Sequence, residues 1–320
     1  MENKFIVSAA PHIHTKETVS HIMCDVIIAL APAAIFGCVV FGYKAAVLLL
    51  TCMAACILSE YVFCKIMKKP TTTGDFSALV TGLLLGMNLP VGCPVWMSVI
   101  GSVFAIIIVK QLFGGLGKNF MNPALGARCF MLIAWTSAMT TFHEPLMGYG
   151  VDAVSSATPL AMMKSGTSAP TLYNAFLGFI PGTIGETSVL CLLIGAVYLV
   201  IRKVISIKIP AAYIITFAVL TFLFGNKGDM SAISYTLIQL CTGGLVLGAF
   251  FMATDYTTTP TTPWGMVIFG IGCGALTFVI RKFGGYPEGV SFSIILMNIA
   301  APLIEKATIP KSFGQRGGKA

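Results

Sequence analysis

Ten apolar stretches, most of them long enough to cross a bilayer, limit what this chain of 320 residues can fold into. A span needs about 20 apolar residues, at about 1.5 Å of rise each, to cross a hydrocarbon core of about 30 Å. Nine runs approach that length, over residues 22–42, 45–64, 95–109, 124–142, 187–201, 209–225, 232–253, 264–280 and 288–304. The tenth, Phe76 to Leu89, opens after Thr71-Thr72-Thr73-Gly74-Asp75 and stops at Pro90. It covers only about two thirds of a hydrocarbon core, so a half-helix or a broken span is expected there.

Composition agrees with a bilayer. With 56% hydrophobic and 10% charged residues and a mean hydropathy of +0.88, the chain has too little polar surface to cover itself in water. A net charge of +8 would suggest nucleic acid in a soluble protein, but here the basic residues sit mostly in short loops between apolar runs, so no nucleic-acid partner is expected. Their distribution sets the orientation. With the N-terminus in the cytoplasm, the inside loops hold Lys4 and Lys16, then Lys65, Lys68 and Lys69, then Lys110 and Lys118, then Arg202, Lys203 and Lys208, and finally Lys306, Lys311, Arg316 and Lys319. The outside keeps Lys44, Lys164, Lys227, Arg281 and Lys282, with Arg128 inside a helix. The expectation is a multi-pass protein of the prokaryotic cytoplasmic membrane with both termini inside, its lipid bilayer being its first partner. Residues 1–21 are polar and show no cleavable signal, so the first helix serves for targeting.

The two halves share an order of features. Thr81-Gly82-Leu83-Leu84-Leu85-Gly86, a Pro before Trp96, then Lys110-Gln111-Leu112-Phe113-Gly114-Gly115 is echoed by Thr242-Gly243-Gly244-Leu245-Val246-Leu247-Gly248, a Pro before Trp264, then Arg281-Lys282-Phe283-Gly284-Gly285. Five spans per half, an odd number, require the second copy to be inverted, and Arg281 and Lys282 then become the image of Lys110. The fold expected is an all-α integral membrane bundle of about ten helices in two inverted five-helix repeats. Its parts are a cytoplasmic tail over 1–21, a first repeat over 22–142, an outside loop over 143–186, a second repeat over 187–306 and a cytoplasmic tail over 307–320.

The sharpest chemical signal lies in the outside loop: Val151-Asp152-Ala153-Val154-Ser155-Ser156-Ala157-Thr158-Pro159-Leu160. It resembles the recognition pattern Asp-x-x-Ser/Thr-Gly/Ser-Ala-Thr of flavin transferases, which join FMN through its phosphate to a threonine hydroxyl. Thr158 would be the attachment point, and Asp152, Ser155, Ser156 and Ala157 the residues that the transferase recognises. A threonine hydroxyl is a weak nucleophile, so a separate enzyme has to activate it. The plainer alternative is that Ser155 to Pro159 caps a helix starting near Pro159.

Three further segments extend the likeness: Thr72-Thr73-Gly74-Asp75, Asn119-Phe120-Met121-Asn122-Pro123-Ala124-Leu125-Gly126-Ala127-Arg128, and Phe250-Phe251-Met252-Ala253-Thr254-Asp255-Tyr256-Thr257-Thr258-Thr259-Pro260. From about residue 20 to residue 306 the chain resembles the RnfD/NqrB family, the flavin-bearing membrane subunits of the Rnf and sodium-pumping NADH:quinone complexes. It is closer to RnfD, because only about 21 residues precede the first span. Family members commonly have Gly where this chain has Ser156, and Pro where it has Tyr256. The resemblance implies a subunit of a complex that passes electrons between ferredoxin and NAD and moves Na+ or H+. It also implies covalent FMN, a noncovalent riboflavin in the bundle, and as partners the other Rnf subunits, an extracytoplasmic FMN subunit and iron–sulfur subunits among them, with a flavin transferase for maturation. No iron–sulfur motif occurs in this chain, so such clusters belong to partners.

Other candidates divide between architecture and chemistry. Asn122-Pro123 reads as a helix start. Arg128, one and a half turns on, is an intramembrane charge that needs an anionic partner. The topology puts it toward the cytoplasm, far from Thr158, so its partner is expected to be a second cofactor or a carboxylate of a neighbouring subunit. Asp75 and Asp255 take equivalent places in the two halves, each among threonines beside a helix end. They suit either capping or a second site for a hard cation or a flavin's polar edge. The ten cysteines lie mostly inside apolar runs and read as small hydrophobes; Cys52 and Cys56, one turn apart, carry no further ligand spacing. His12, His14 and His21 read as solvated. A rival from another class is a urea-permease-like transporter or channel without redox activity, for which a five-plus-five inverted repeat would be equally natural but the Asp152-to-Thr158 pattern would have no use.

Overall fold

A computed structural model describes residues 18–145, 155–166, 170–186, 188–226, 228 and 230–310. The chain opens with α1 (Val19–Phe41) and α2 (Tyr43–Ile66), each long and apolar enough to cross a membrane. Thr18 caps α1 by accepting from the His21 amide at 3.3 Å, and His21 itself is exposed. The half-helix expected after Asp75 is α3 (Ser77–Met87). Asp75 Oδ1 turns the chain into it, accepting from the Ser77 amide (2.8 Å) and hydroxyl (2.5 Å). Its far end stops inside the protein, where free carbonyls would be costly. The Gly185 amide donates to Met87 O at 2.7 Å and the Asn88 side chain to Leu84 O at 2.6 Å, which meets that need.

The chain returns through α4 (Val95–Gln111), whose second half is wound as a π-helix from Phe104. Then come α5 (Pro123–Ala134) and the short α6 (Thr136–Thr140), so the run expected as one helix over 124–142 ends at Ala134. The strand β1 (Phe142–His143) pairs antiparallel with β2 (Ser155–Ser156), Phe142 opposite Ser156. Helices α7 (Pro159–Ser165) and α8 (Leu172–Leu177) follow, leading to α9 (Val189–Ile201) and α10 (Lys208–Phe224). The run expected as one span over 232–253 is broken. It forms α11 (Ala232–Cys241) and α12 (Leu245–Met252), bent by 63°. Gly243 and Gly244 make the corner at φ of 70° and 66°, a left-handed conformation open to glycine. The fold closes with α13 (Pro263–Phe283) and α14 (Val290–Thr308).

Among the described residues, α1, α2, α13 and α14 are long enough to span alone, the bent pair α11–α12 makes a further candidate, and α3, α4, α5, α9 and α10 are shorter apolar helices. These ten apolar elements match the ten runs in order. Each half places its second helix against its fourth, α2 with α4 and α10 with α13, while α1 with α9 and α5 with α14 join the halves. Polarity is distributed as a bilayer requires. Ile28, Leu50, Ile133, Ile194 and Ile215 face outward, whereas Glu60, Lys110 and Arg128 are buried.

Candidate functional site

Lys110 was expected in an inside loop; the structure buries it at the end of α4. The wider π turn carries it inward, where Nζ donates to Glu60 Oε1 (2.8 Å) and to Ser77 Oγ (2.6 Å) at the start of α3. Glu60, which no sequence motif singles out, is fully buried and also accepts from Gln111 (2.7 Å) and Thr72 (2.8 Å). Arg281, counted as an outside loop residue, lies buried in the last turn of α13. Its guanidinium caps the break, donating to the carbonyls of Gln239 (2.7 Å), Thr242 (2.9 Å) and Gly243 (3.2 Å). A cation at the C-terminal end of α11 opposes the partial negative charge of those carbonyls.

Arg128 is the centre of a second buried cluster. Asn122 caps α5, its Oδ1 accepting from the amides of Ala124 (3.0 Å) and Leu125 (3.4 Å), and its Nδ2 reaches Met252 O at 3.4 Å. Helix α5 therefore starts inside the bundle, against the end of α12, and Arg128 comes about 9 Å further along it. The guanidinium donates from Nη1 to Asn88 Oδ1 (2.8 Å) and Ser291 Oγ (3.1 Å), and from Nη2 to Glu186 Oε1 (3.2 Å) and to Glu288 Oε2. This corrects the expectation of a partner outside the chain: both carboxylates are its own. Burial pushes the Glu288 carboxyl well above the usual carboxylate range and outweighs the pull of Arg128. At Glu186 burial acts the same way, but the hydrogen bond with Glu288 and the charge of Arg128 hold it below that range.

The expectation that Arg128 lies far from Thr158 is also overturned. Both line one cavity of about 260 Å³, together with Leu132, Met139, Phe142, Tyr286, Glu288 and Phe292. The expectation failed because it started α5 at the cytoplasmic face, whereas the segment before Asn122 dips into the bundle. The β1–β2 pairing fastens the loop that carries Thr158 to the end of α5 and α6. Thr158 also caps α7, accepting from the Ala161 amide at 3.2 Å, so the capping alternative holds for this residue alongside any other role. Ala157 lines the same cavity; Ser155 and Ser156 form β2; Asp152 falls outside the described residues.

The residues expected to share a second site separate. Asn122 and Asp255 line an inner cavity of about 80 Å³, bounded also by Lys110, Asn119 and Thr254. Asp255 accepts from the hydroxyls of Thr257 (3.0 Å) and Thr258 (3.3 Å). Asp75 stays with its own half-helix as a cap, and Arg128 belongs to the outer cavity. Glu60, Glu186 and Glu288 were missed because each stands alone in sequence. The available signal was arithmetic: a buried Arg and a buried Lys demand carboxylates, and the whole chain has twelve.

Comparison with known proteins follows the same lines. The sequence matches the profile of the NQR2, RnfD, RnfE family over residues 6–314. It is 47% identical to the D-type subunit of the Na+-translocating ferredoxin:NAD+ oxidoreductase complex of Acetobacterium woodii, with 98% of this chain and 96% of that one covered. It is 45% identical to the D-type subunit of the proton-translocating ferredoxin:NAD+ oxidoreductase complex of Clostridium ljungdahlii, with 98% of each covered. It is 36% identical to the D-type subunit of the ion-translocating oxidoreductase complex of Halorhodospira halophila, with 96% of this chain and 95% of that one covered. The chain belongs to the NQR2, RnfD, RnfE family, on its RnfD branch.

Proposed function

We propose that the chain is a membrane subunit of an ion-translocating ferredoxin:NAD+ oxidoreductase complex, and that Thr158 carries FMN through a phosphoester to its hydroxyl. The observation that carries the flavin assignment is the shared cavity, into which a candidate acceptor hydroxyl and a buried guanidinium both open. The residues present suit the group. Phe142, Tyr286, Phe292, Leu132 and Met139 offer flat and apolar walls to a ring system, and Arg128 and Ser291 offer a polar edge. At about 260 Å³ the cavity lies just under the range of small-molecule sites, which run from about 300 to 1,000 Å³.

Bound there, FMN supplies the one- and two-electron chemistry that side chains lack. The protein's part is position and charge. Thr158 tethers; the apolar walls keep water away; Arg128, locked by four acceptors, holds a fixed positive charge where added electron density is stabilised without reorganisation. A flavin transferase makes the linkage, and its recognition residues are Asp152, Ser155, Ser156 and Ala157. Iron–sulfur subunits and an extracytoplasmic FMN subunit exchange electrons with this one. In this proposal the membrane is the prokaryotic cytoplasmic membrane, both termini are inside, and the 143–186 loop lies outside. The moved ion is Na+ or H+, and two relatives of similar identity carry names for different ions. For the second site, the inner cavity of about 80 Å³ with Asp255 and Asn122 suits a hydrated cation better than a riboflavin ring.

The test is co-expression with a flavin transferase, followed by denaturing electrophoresis under ultraviolet light and mass analysis of the loop peptide. Fluorescence in the band and an FMN adduct on Thr158, both lost in Thr158→Ala, are expected. An unmodified Thr158 from a transferase-competent host would sink the assignment.

A further inference from the structure

Glu186 and Glu288 come from two different loops and meet at Arg128, beside the cavity but with no part in tethering a flavin. Both accept from the same Nη2 of Arg128, Glu186 through Oε1 at 3.2 Å and Glu288 through Oε2, so the two carboxyl groups crowd one guanidinium nitrogen. Two like charges sharing one site disfavour each other, so one carboxyl of such a pair keeps its proton. A second observation agrees. Glu288 Oε2 takes the bond from Arg128, whereas Oε1 is buried with no donor among the described residues, a costly state that a proton on the pair relieves.

The charges around the pair can be summed. Arg128 and the Cys129 thiol face it from α5, and Arg281 from α13. Lys164 of α7 donates to the Gly284 carbonyl, in the loop that carries Glu288. Arg281 is engaged with the carbonyls at the helix break. With one proton on the pair, its single negative charge offsets Arg128, while Arg281 keeps its own positive charge against the carbonyl dipoles of the helix break. An electron added in the cavity raises the proton affinity of the remaining carboxylate, because a new negative charge nearby favours the protonated form. Glu288 is the open member, its side chain 25% exposed beside the cavity, against 7% for Glu186.

We propose that Glu186 and Glu288 form a redox-linked proton site, holding one shared proton when the electron carrier in the cavity is oxidised and two when it has gained one electron. This rests on the cavity being the flavin site. The electron comes from a one-electron donor of the complex, a flavin or an iron–sulfur cluster, which is oxidised by one electron. The proton comes from a solvent hydronium ion, whose O–H bond breaks to leave water as an O–H bond forms on the remaining carboxylate. On reoxidation the electron passes to the next carrier, and that O–H bond breaks.

The experiment is a redox titration of the assembled, flavinylated complex from pH 6 to 9, following the absorbance of the Thr158-linked flavin. In the unaltered complex the one-electron potential is expected to fall as pH rises; in Glu288→Gln, with equal flavin content, the slope should flatten. Glu186→Gln serves if Glu288→Gln does not assemble. A second measurement needs no variant: the redox-difference infrared spectrum of the unaltered complex should gain a protonated-carboxyl band on reduction that shifts in D2O. An unchanged slope in the variants, or reduction without that band, overturns the proton site while leaving the flavin in place. Absence of in-gel flavin fluorescence in the unaltered protein removes the cavity assignment itself, and this proposal with it.

Discussion

Arg128 is held by four acceptors from three separate stretches of chain: Asn88 after α3, Glu186 before α9, and Glu288 with Ser291 at the start of α14. Removing one partner of a buried ion pair leaves an uncompensated charge and costs about 3–5 kcal/mol. Arg128→Leu is therefore expected to lower thermal unfolding in detergent markedly, and Arg128→Lys less so, because an ammonium cannot reproduce a planar fork. A Leu variant that unfolds with the unaltered protein would reduce Arg128 to a charge that the bundle tolerates rather than needs. Thr158 gives a smaller, separable effect. Thr158→Ala loses the cap on α7, about 1 kcal/mol, while Thr158→Ser keeps it, so a difference in stability between the two measures the cap apart from the flavin. The need of Arg128 for an anion was legible from its place in an apolar run. The identity of the anions was not, since Glu186 and Glu288 lie 58 and 160 residues away.

At the scale of elements, two interruptions build the site, and only one announced itself. Helix α3 was legible as a half-helix because Asp75 and Pro90 bound an apolar run too short to span. The break between α11 and α12 was hidden, since Gly243-Gly244 inside an apolar run also suits close packing of an unbroken helix. The structure gives Gly244 a stricter reason: a Cβ there would sit 2.6 Å from Glu186 Oε1, and its φ is 66°. Gly244→Ala should therefore cost about 1–3 kcal/mol of backbone strain and displace Glu186 from Arg128, which denaturation in detergent and the redox slope would both report. A variant as stable as the parent would show that the corner tolerates a side chain. Lys110 and Glu60 make a comparable test between α4 and α2. Lys110→Met alone leaves Glu60 buried and unpaired; adding Glu60→Gln should restore most of the lost stability, because a buried pair is weakly stabilising against a neutral replacement.

Over the whole molecule the question becomes which side each loop faces, and the buried charges sharpen the answer. Lys110 and Arg281 drop out of the loop count once the structure places them in the interior. Among the described residues, Lys65, Lys68, Lys69, Lys118, Arg202, Lys203, Lys208 and Lys306 remain on one side, against Lys44, Lys164 and Lys282 on the other. Arg281, an exception to the rule when counted as a loop residue, is spent on carbonyls at a helix break and makes no loop charge. By the positive-inside rule, the remaining asymmetry predicts a cytoplasmic place for the first set. In the proposed function, Thr158, on the segment between α6 and α9, would then meet its transferase outside, where a lost flavin could not be replaced and a covalent bond would have a purpose. Single cysteines introduced at Ser165 and at Lys208, both exposed positions, test this in intact cells with a membrane-impermeant thiol reagent. The ten native cysteines set the background, measured in the unaltered protein. Labelling above that background at position 165 and none at 208 is expected. The reverse pattern would turn the bundle over, and would move both the flavin and the proton pair beneath it to the cytoplasmic side.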